Sequence, residues 1–219
     1  MRLVLNREDV SQLEGWGILF FLFFFEFTSY LFVSFTREII FSSLSMGFLV
    51  LVTKILVYII TLVFCISRFG RINLFEFFPD RKSSVILIVA LVVEFWVFGL
   101  LVGSEGIHND RYEAIKNLST FQYYLAVSAV LVFGPFLEES LFRRYFLEIQ
   151  CQHYSTGVAV LITALVGTVF HLNLEFSWAP IFWHFCQQLF FSVVYLNSRL
   201  GVAGMVHVFV NLLILLLSK

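Results

Sequence analysis

The sequence predicts an all-α protein that crosses a membrane repeatedly, a polytopic transmembrane helical bundle of about seven to eight spans. Hydrophobic residues make up 60% of the 219 residues and charged residues only 13%. A soluble domain carries about 25% charged residues, so this chain has too few to cover a water-facing surface. The apolar residues also form continuous blocks, and within lipid such blocks must be helical to satisfy their backbone polar groups.

Seven apolar blocks are the predicted spans. They cover residues 17–36, 47–66, 84–103, 121–149, 155–173, 178–197 and 200–217. No internal repeat and no low-complexity linker divides them, so we predict a single integral membrane domain over residues 1–219. Within it, residues 1–120 supply N-terminal helices, and residues 121–217 form the core in which polar side chains are concentrated.

Lysine and arginine are distributed unequally between alternate connections. If the N-terminus is cytoplasmic, nine of these residues lie on the inner side and four on the outer side, with Lys54 inside a span. Because basic residues favour the cytoplasmic side, this bias predicts a cytoplasmic N-terminus. We therefore expect a multi-pass protein with the lipid bilayer as a partner. As separate expectations, the membrane is a prokaryotic inner or plasma membrane, and no nucleic acid is a partner.

The connection between the second and third spans mixes basic residues with phenylalanines. Residues 68–82, RFGRINLFEFFPDRK, fit a segment that lies on the inner membrane surface with its Phe side chains in the lipid. An ordinary inner loop fits the same composition equally well, and the sequence leaves both interpretations open.

Charged residues within spans are costly and usually face the protein interior or a wet cavity. Glu26, Lys54 and Glu94 lie in the first three spans. We interpret them as structural, with Lys54 paired to one of the glutamates, while a proton or ion path is the alternative. The last four spans hold a denser polar set: Glu138, Glu139, Arg143, Arg144, His171, Asn173, His184, Gln187, Gln188, His207 and Asn211.

Helical spacing predicts which of these residues point in the same direction. Glu138 and Glu139 point about 100° apart, whereas Glu139 and Arg143 share a face and can form an ion pair. Glu138 then faces a different direction, and His207 and Asn211 project together from the last span. A carboxylate and an imidazole can hold and deprotonate a water, and an imidazole and an amide can donate to an oxyanion. General-base hydrolysis is therefore within the chemistry of these groups.

The heights of these residues in the membrane test whether they can meet. At 1.5 Å per residue, Glu138 lies about 16 Å above the inner end of its span, His171 about 24 Å and His207 about 10 Å. Helix tilt can absorb such differences, but the heights alone do not require the three side chains to converge.

The three polar sites have the order and spacing of a known set of motifs. Residues 135–143, PFLEESLFR, resemble the first motif, EExxxR, of the CAAX protease and bacteriocin-processing enzyme family. His171 follows Glu138 by 33 residues and is in place for the second motif, FxxxH. His207 and Asn211, in HVFVN, fit the third motif, HxxxN.

The resemblance covers residues 121–217 and includes two departures from the family pattern. Gly167 stands where the second motif has Phe, although Phe170 immediately precedes the histidine. Arg144 stands where a glycine is common in relatives. The first departure bears on the pocket that receives the substrate more than on the chemistry.

The resemblance implies an intramembrane glutamic-type endopeptidase, with its active site in the last four helices. Its substrate would be a membrane-associated protein or peptide, either lipidated or membrane-tailed. By position, Glu138 and His171 would activate the water, and His207 and Asn211 would stabilise the oxyanion.

The resemblance also implies a supporting role for Glu139 and Arg143, which would hold the site together. It favours metal-free catalysis without a cofactor. On chemistry alone, a glutamate with two histidines could bind zinc, and this alternative stays open.

Two other functions compete with the protease. One is a non-catalytic immunity or partner-binding protein of the same family, against which the intact motif set argues. The other is a transporter that uses Glu26, Lys54 and Glu94, but transporters are typically built from repeats with broken helices, and the sequence has neither. The substrate itself is not named by the sequence.

Overall fold

The computed structural model describes residues 14, 16–18, 20, 24, 46–69, 74–102, 119–171 and 178–217. Within these residues the regular structure is helical and includes no strand, which confirms the predicted all-α class. Most of the first predicted span, the connection 103–118, Glu26 and Asn173 lie outside the described residues.

Six helical runs and a short 3-10 helix make up the longer described segments. They are α1 (Met46–Phe69), the 3-10 helix (Leu74–Phe77), α2 (Arg81–Val102), α3 (residues 120–153), α4 (Thr156–His171), α5 (Trp178–Asn197) and α6 (Leu200–Leu217). Each run from α1 to α6 coincides with a predicted span to within four residues at either end, and α5 and α6 have the predicted bounds.

The long helix α3 changes geometry along its length. Its α-helical turns give way to π-helical turns at Ala129–Phe133 and again at Ser140–Leu147. Between them, Gly134–Glu139 is α-helical, with Pro135 in its first turn. Wide π-helical turns are often found at functional sites, and the second one here begins directly after Glu139.

One helix of the described part, Tyr123–His153, is long and apolar enough to cross a membrane. Three more helical stretches are apolar but shorter, namely Ile55–Phe69, Thr156–His171 and Leu200–Leu216. These data leave the predicted number of spans untested.

The outer faces of α1 and α2 are apolar. Their exposed side chains include Leu56, Ile60, Val63 and Phe64 on α1, and Ile88, Val92, Phe95 and Trp96 on α2. Contiguous apolar surface of this kind is rare on soluble monomers and is typical of a membrane or protein interface.

The interior of the bundle holds charged side chains instead. Glu139, Arg143, Arg144 and Glu148 are each at most 3% exposed, and all four project from α3 around its second π-helical segment. Because a buried charge is stable only when it is paired, the partners of these four side chains must lie next to this segment.

Helix α6, which carries the third sequence motif, packs against the part of α3 that carries the first motif. It packs against α2, α3 and α5, while α4 and α5 pack against each other along much of their length. At Gly204 a Cβ atom would lie 2.5 Å from the ring of Phe136, so glycine is required for this close approach. The contact holds α6 against the turn of α3 that carries Glu138.

The short segment before α2 is fixed to the end of the bundle where α6 begins. Arg199 donates hydrogen bonds to the carbonyl oxygens of Phe75 and Phe78, and its guanidinium lies 2.8 Å from Asp80. Asp80 also accepts from the backbone N–H of Ser83, and this bond, followed by Arg199, holds the pKa of the Asp80 carboxyl below its usual range. The Phe75 and Phe78 side chains remain exposed.

Candidate active site

The adjacent carboxylates of α3 have different environments. The Glu138 side chain is 13% exposed and the Glu139 side chain 1% exposed. This difference follows from the angle of about 100° between neighbouring helical residues. One glutamate therefore faces the interior of the bundle, and the other lies beside a partly accessible space.

The buried carboxylate forms the ion pair expected from its spacing. Arg143 Nε lies 3.2 Å from Glu139 Oε2, and both side chains are 1% exposed. Removing one partner of such a buried pair leaves an uncompensated charge, which costs about 3–5 kcal/mol.

The other oxygen of Glu139 orients His207 on α6. Nδ1 of His207 donates to Glu139 Oε1 at 3.0 Å, and its ring stacks on Phe191 with centroids 4.7 Å apart. Because Nδ1 is committed to this carboxylate, Nε2 is the ring nitrogen that faces Glu138, at 3.9 Å from Oε2.

His171, the last residue of α4, is oriented in a similar way. Its Nδ1 lies 2.7 Å from the carbonyl oxygen of Gly167, which can only accept a hydrogen bond, so Nδ1 carries the proton. The opposite nitrogen, Nε2, lies 3.5 Å from Oε2 of Glu138. Two imidazole Nε2 atoms from different helices thus converge on a single carboxylate oxygen.

These distances suit a water-activating arrangement. Separations of 3.5 and 3.9 Å are longer than a direct hydrogen bond between nitrogen and oxygen. They are short enough for one water molecule beside the three side chains to contact the carboxylate and the imidazoles together. A carboxylate with imidazoles on two sides can orient such a water and accept its proton.

Two further polar residues accompany this centre. Asn211 lies four residues after His207 on α6, so both project from the same side of the helix. Asn211 is partly buried. His184 on α5 has its ring centroid 5.1 Å from that of His171.

Sequence reasoning missed the role of Gln188. Its Oε1 accepts a hydrogen bond of 2.6 Å from Nη2 of Arg143, and its side chain is buried. The signal was present as two adjacent glutamines within an apolar helix, because a buried amide is costly unless it is hydrogen-bonded.

The departure at Gly167 is explained by the same side chain. A Cβ atom at this position would lie 2.3 Å from Oε1 of Gln188, so the amide occupies the space that a larger residue would need. The neighbouring Phe170 packs edge-on against Phe142, with ring centroids 5.3 Å apart.

A second buried ion-pair cluster surrounds Arg144, the other departure. Arg144 Nη1 lies 2.6 Å from Glu148, and its Nε lies 3.1 Å from Glu76 in the 3-10 helix. The hydroxyl of Tyr195 donates to the remaining oxygen of Glu148. This cluster connects α3, α5 and the segment before α2.

The buried carboxyl group of Glu94, in the third predicted span, has a partner that the sequence did not indicate. Nε2 of Gln187 donates to Glu94 at 2.8 Å and joins α5 to α2. The side chain of Lys54 lies outside the described residues, so its pairing with a glutamate stays a prediction.

In the part of the chain that the structure describes, no group of three or more His, Cys, Asp or Glu side chains is arranged to hold a metal ion. Within the same residues, Cys65, Cys151 and Cys186 are free thiols. Metal independence nevertheless stays a prediction for experiment.

Comparison with known proteins connects this geometry to a family. Residues 120–213, less than half of the chain, match the family described as type II CAAX prenyl endopeptidase Rce1-like. We call residues 120–213 the Rce1-like segment. The match confirms the resemblance inferred from the motifs, and the Rce1-like segment contains Glu138, His171, His207 and Asn211.

Beyond the family match, no curated protein and no solved structure matches the chain. The Rce1-like family is a family of membrane-associated proteases, so proteolysis at a membrane is the class of activity that the match supports. The exposed apolar faces of α1 and α2 agree with a membrane environment.

Proposed function

We propose that the protein is an intramembrane endopeptidase of glutamic type that hydrolyses a peptide bond in a membrane-associated substrate. The observation that carries the proposal is the convergence of His171 Nε2 and His207 Nε2 on one oxygen of Glu138, at 3.5 and 3.9 Å, within the Rce1-like segment. Buried charge alone would not suggest hydrolysis, but a partly accessible carboxylate between two imidazoles does.

In the proposed reaction, Glu138 and His171 hold the attacking water. Glu138 accepts a proton as the water oxygen bonds to the substrate carbonyl carbon, and it returns that proton to the leaving amine when the peptide bond breaks. The carbonyl-fixed tautomer of His171 presents the basic Nε2 to the water. Both atoms that handle protons therefore face the same space.

His207 and Asn211 stabilise the oxyanion that forms on the carbonyl oxygen. Since His207 Nδ1 already donates to Glu139, donation to the oxyanion requires a second proton on Nε2. The Glu139 carboxylate stabilises the resulting imidazolium, and the ion pair with Arg143 holds Glu139 in place. The supporting ion pair thereby contributes to charge stabilisation.

The substrate class proposed is a lipidated or membrane-tailed protein or peptide. The matched family is described as a prenyl endopeptidase, and the apolar exterior of the bundle would hold the protein where such tails lie. No metal or cofactor enters the proposed mechanism.

Purified protein in liposomes, supplied with a prenylated peptide and with the same peptide lacking the lipid, tests both parts of this proposal. We expect mass spectrometry to show a single endoproteolytic cut in the lipidated peptide, unchanged after exhaustive chelation. Equal cleavage of both peptides would contradict the substrate class. Activity that is lost on chelation and restored by zinc would contradict the metal-free mechanism.

We also propose a multi-pass topology with a cytoplasmic N-terminus. The contacts of Arg199 with Asp80, and of Arg144 with Glu76, support it, because they bring together segments that the charge bias assigns to the inner side. A single cysteine at position 108, in a variant without native cysteines, should react with an impermeant reagent added from outside. Labelling from the cytoplasm only would contradict this topology.

A further inference from the structure

We propose that Gln188 on α5 is a positioning residue for the hydrolysis and that Gly167 on α4, which has no side chain, leaves room for the Gln188 amide. This inference rests on the proposed function, because it assigns Gln188 a task within that reaction. Gln188 does not touch the reacting atoms, and its effect passes through Arg143.

A continuous series of polar contacts leads from Gln188 to the catalytic carboxylate. Gln188 Oε1 accepts from Arg143 Nη2 at 2.6 Å, and Arg143 Nε lies 3.2 Å from Glu139. Glu139 in turn accepts from His207 Nδ1 at 3.0 Å. His207 Nε2 lies 3.9 Å from Glu138.

Arg143 needs this acceptor because its side chain is only 1% exposed. A guanidinium has five N–H donors, and donors removed from water must find acceptors within the protein. Glu139 approaches its Nε, Gln188 holds its Nη2, and the ring of Phe191 lies 5.8 Å from its central carbon. Loss of the Gln188 side chain leaves Nη2 with only the long contact of 3.5 Å to the backbone carbonyl oxygen of residue 188, which loosens the guanidinium and, through it, the orientation of Glu139.

Gly167 links Gln188 to the other imidazole of the site. A Cβ atom there would lie 2.3 Å from Oε1 and 2.6 Å from Cδ of Gln188, too close for the amide to keep its place. The carbonyl oxygen of the same glycine accepts from His171 Nδ1. One backbone position thus both fixes His171 and leaves room for the side chain that positions His207 through Arg143 and Glu139.

The adjacent Gln187 provides a matched control. It is also buried on α5 and also makes a side-chain hydrogen bond to a charged residue, but that residue is Glu94 on α2. Its direction differs because neighbouring residues point about 100° apart on a helix. A variant at position 187 therefore changes the same kind of bond without touching Arg143.

The first experiment compares Gln188→Leu with Gln187→Leu for kcat, KM and thermal unfolding. We expect Gln188→Leu to lower kcat by about 10- to 100-fold, with KM little changed, since the substrate-binding surface is intact while the reacting groups are misplaced. Gln187→Leu should lower the unfolding temperature and leave kcat close to wild type. A wild-type kcat for Gln188→Leu, or equal losses of kcat in both variants, would overturn the inference.

The second experiment is a double-mutant cycle of Gly167→Ala and Gln188→Ala. We expect Gly167→Ala to lower kcat strongly in the wild-type background, because its methyl group displaces the amide, and to have little further effect once position 188 is alanine. If the wild type cleaves its substrate and Gly167→Ala has equal effects in both backgrounds, the positioning role of Gln188 is refuted and the proposed function is not. A wild type that folds but cleaves no membrane peptide would refute the proposed function, and the positioning role with it.

Discussion

Two adjacent arginines of α3 have nearly the same surroundings and different uses. Arg143 and Arg144 are both buried in the second π-helical segment, and each pairs with a glutamate four residues away, Glu139 for the first and Glu148 for the second. The network around Arg143 continues through an imidazole to the partly exposed Glu138. The Arg144 network includes a tyrosine hydroxyl and Glu76.

The difference shows that a buried ion pair does not by itself make an active site. Glu148 contacts a guanidinium and a phenol, groups that do not exchange protons near neutral pH. Glu138 faces two imidazoles, whose ordinary pKa lies close to neutrality, and its side chain is 13% exposed. Proton exchange and access are the properties that separate the two clusters.

Breaking the ion pair in each cluster should give the largest loss of stability. Glu139→Gln and Glu148→Gln each leave a buried arginine without its nearest counter-charge, so we expect the free energy of unfolding to fall by about 3–5 kcal/mol in both. Only Glu139→Gln should also lower the turnover of the folded fraction, because it weakens support for a charged His207. Denaturant titration and cleavage assays on the same preparations measure both effects.

Equal turnover losses in these two variants would remove the distinction between the clusters. Arg144 also has Glu76 as a second partner at 3.1 Å, so a smaller stability loss for Glu148→Gln is compatible with it. Full activity of folded Glu139→Gln would show that its carboxylate is not needed to support His207.

The local features of this comparison could be predicted from the sequence. Periodicity of apolar residues determines the helix bounds, and the four-residue spacing of Glu139 and Arg143 determines their pairing. Motif order indicated which polar residues would belong to one site, although their counted heights differed by about 14 Å. The positions of His171 and His207 around Glu138 required the packing of three helices.

Contacts between distant segments could not be predicted in this way. The fit of Gln188 against Gly167 depends on how closely α4 and α5 approach, and the contact of Arg144 with Glu76 depends on where the 3-10 helix is fixed. In both contacts the two residues are far apart in the sequence, so no helical repeat relates them. Single sequences carry little information about such pairs, because helix packing and not local periodicity decides them.

Asn211→Ala tests the cluster around Glu138, which the comparison assigns to catalysis. If its amide donates to the oxyanion, we expect turnover to fall by about 10²–10³-fold, the usual cost of losing one such donor. The free energy of unfolding should change much less than in Glu139→Gln. Turnover within a few-fold of wild type would remove Asn211 from the proposed oxyanion site.

Tyr195→Phe should give the smallest effect and tests the structural cluster. It removes the hydroxyl that donates to Glu148, so we expect the free energy of unfolding to fall by about 1.5–3 kcal/mol, as for a hydrogen bond to a charged group. Turnover should stay at the wild-type level because the contacts of Glu138 are unchanged. A large loss of turnover without loss of stability would show that the Arg144 cluster is not purely structural.

The central claim is that Glu138 accepts the proton of the attacking water, and turnover of Glu138→Gln in the same detergent as wild type tests it most directly. Glutamine keeps the shape of the side chain but cannot act as the base. We expect this variant to insert and to unfold at the wild-type temperature, while turnover falls by at least about 10²–10⁴-fold. Near-normal cleavage by Glu138→Gln, alongside a stable but inactive Glu139→Gln, would mean that the two adjacent glutamates have the opposite roles.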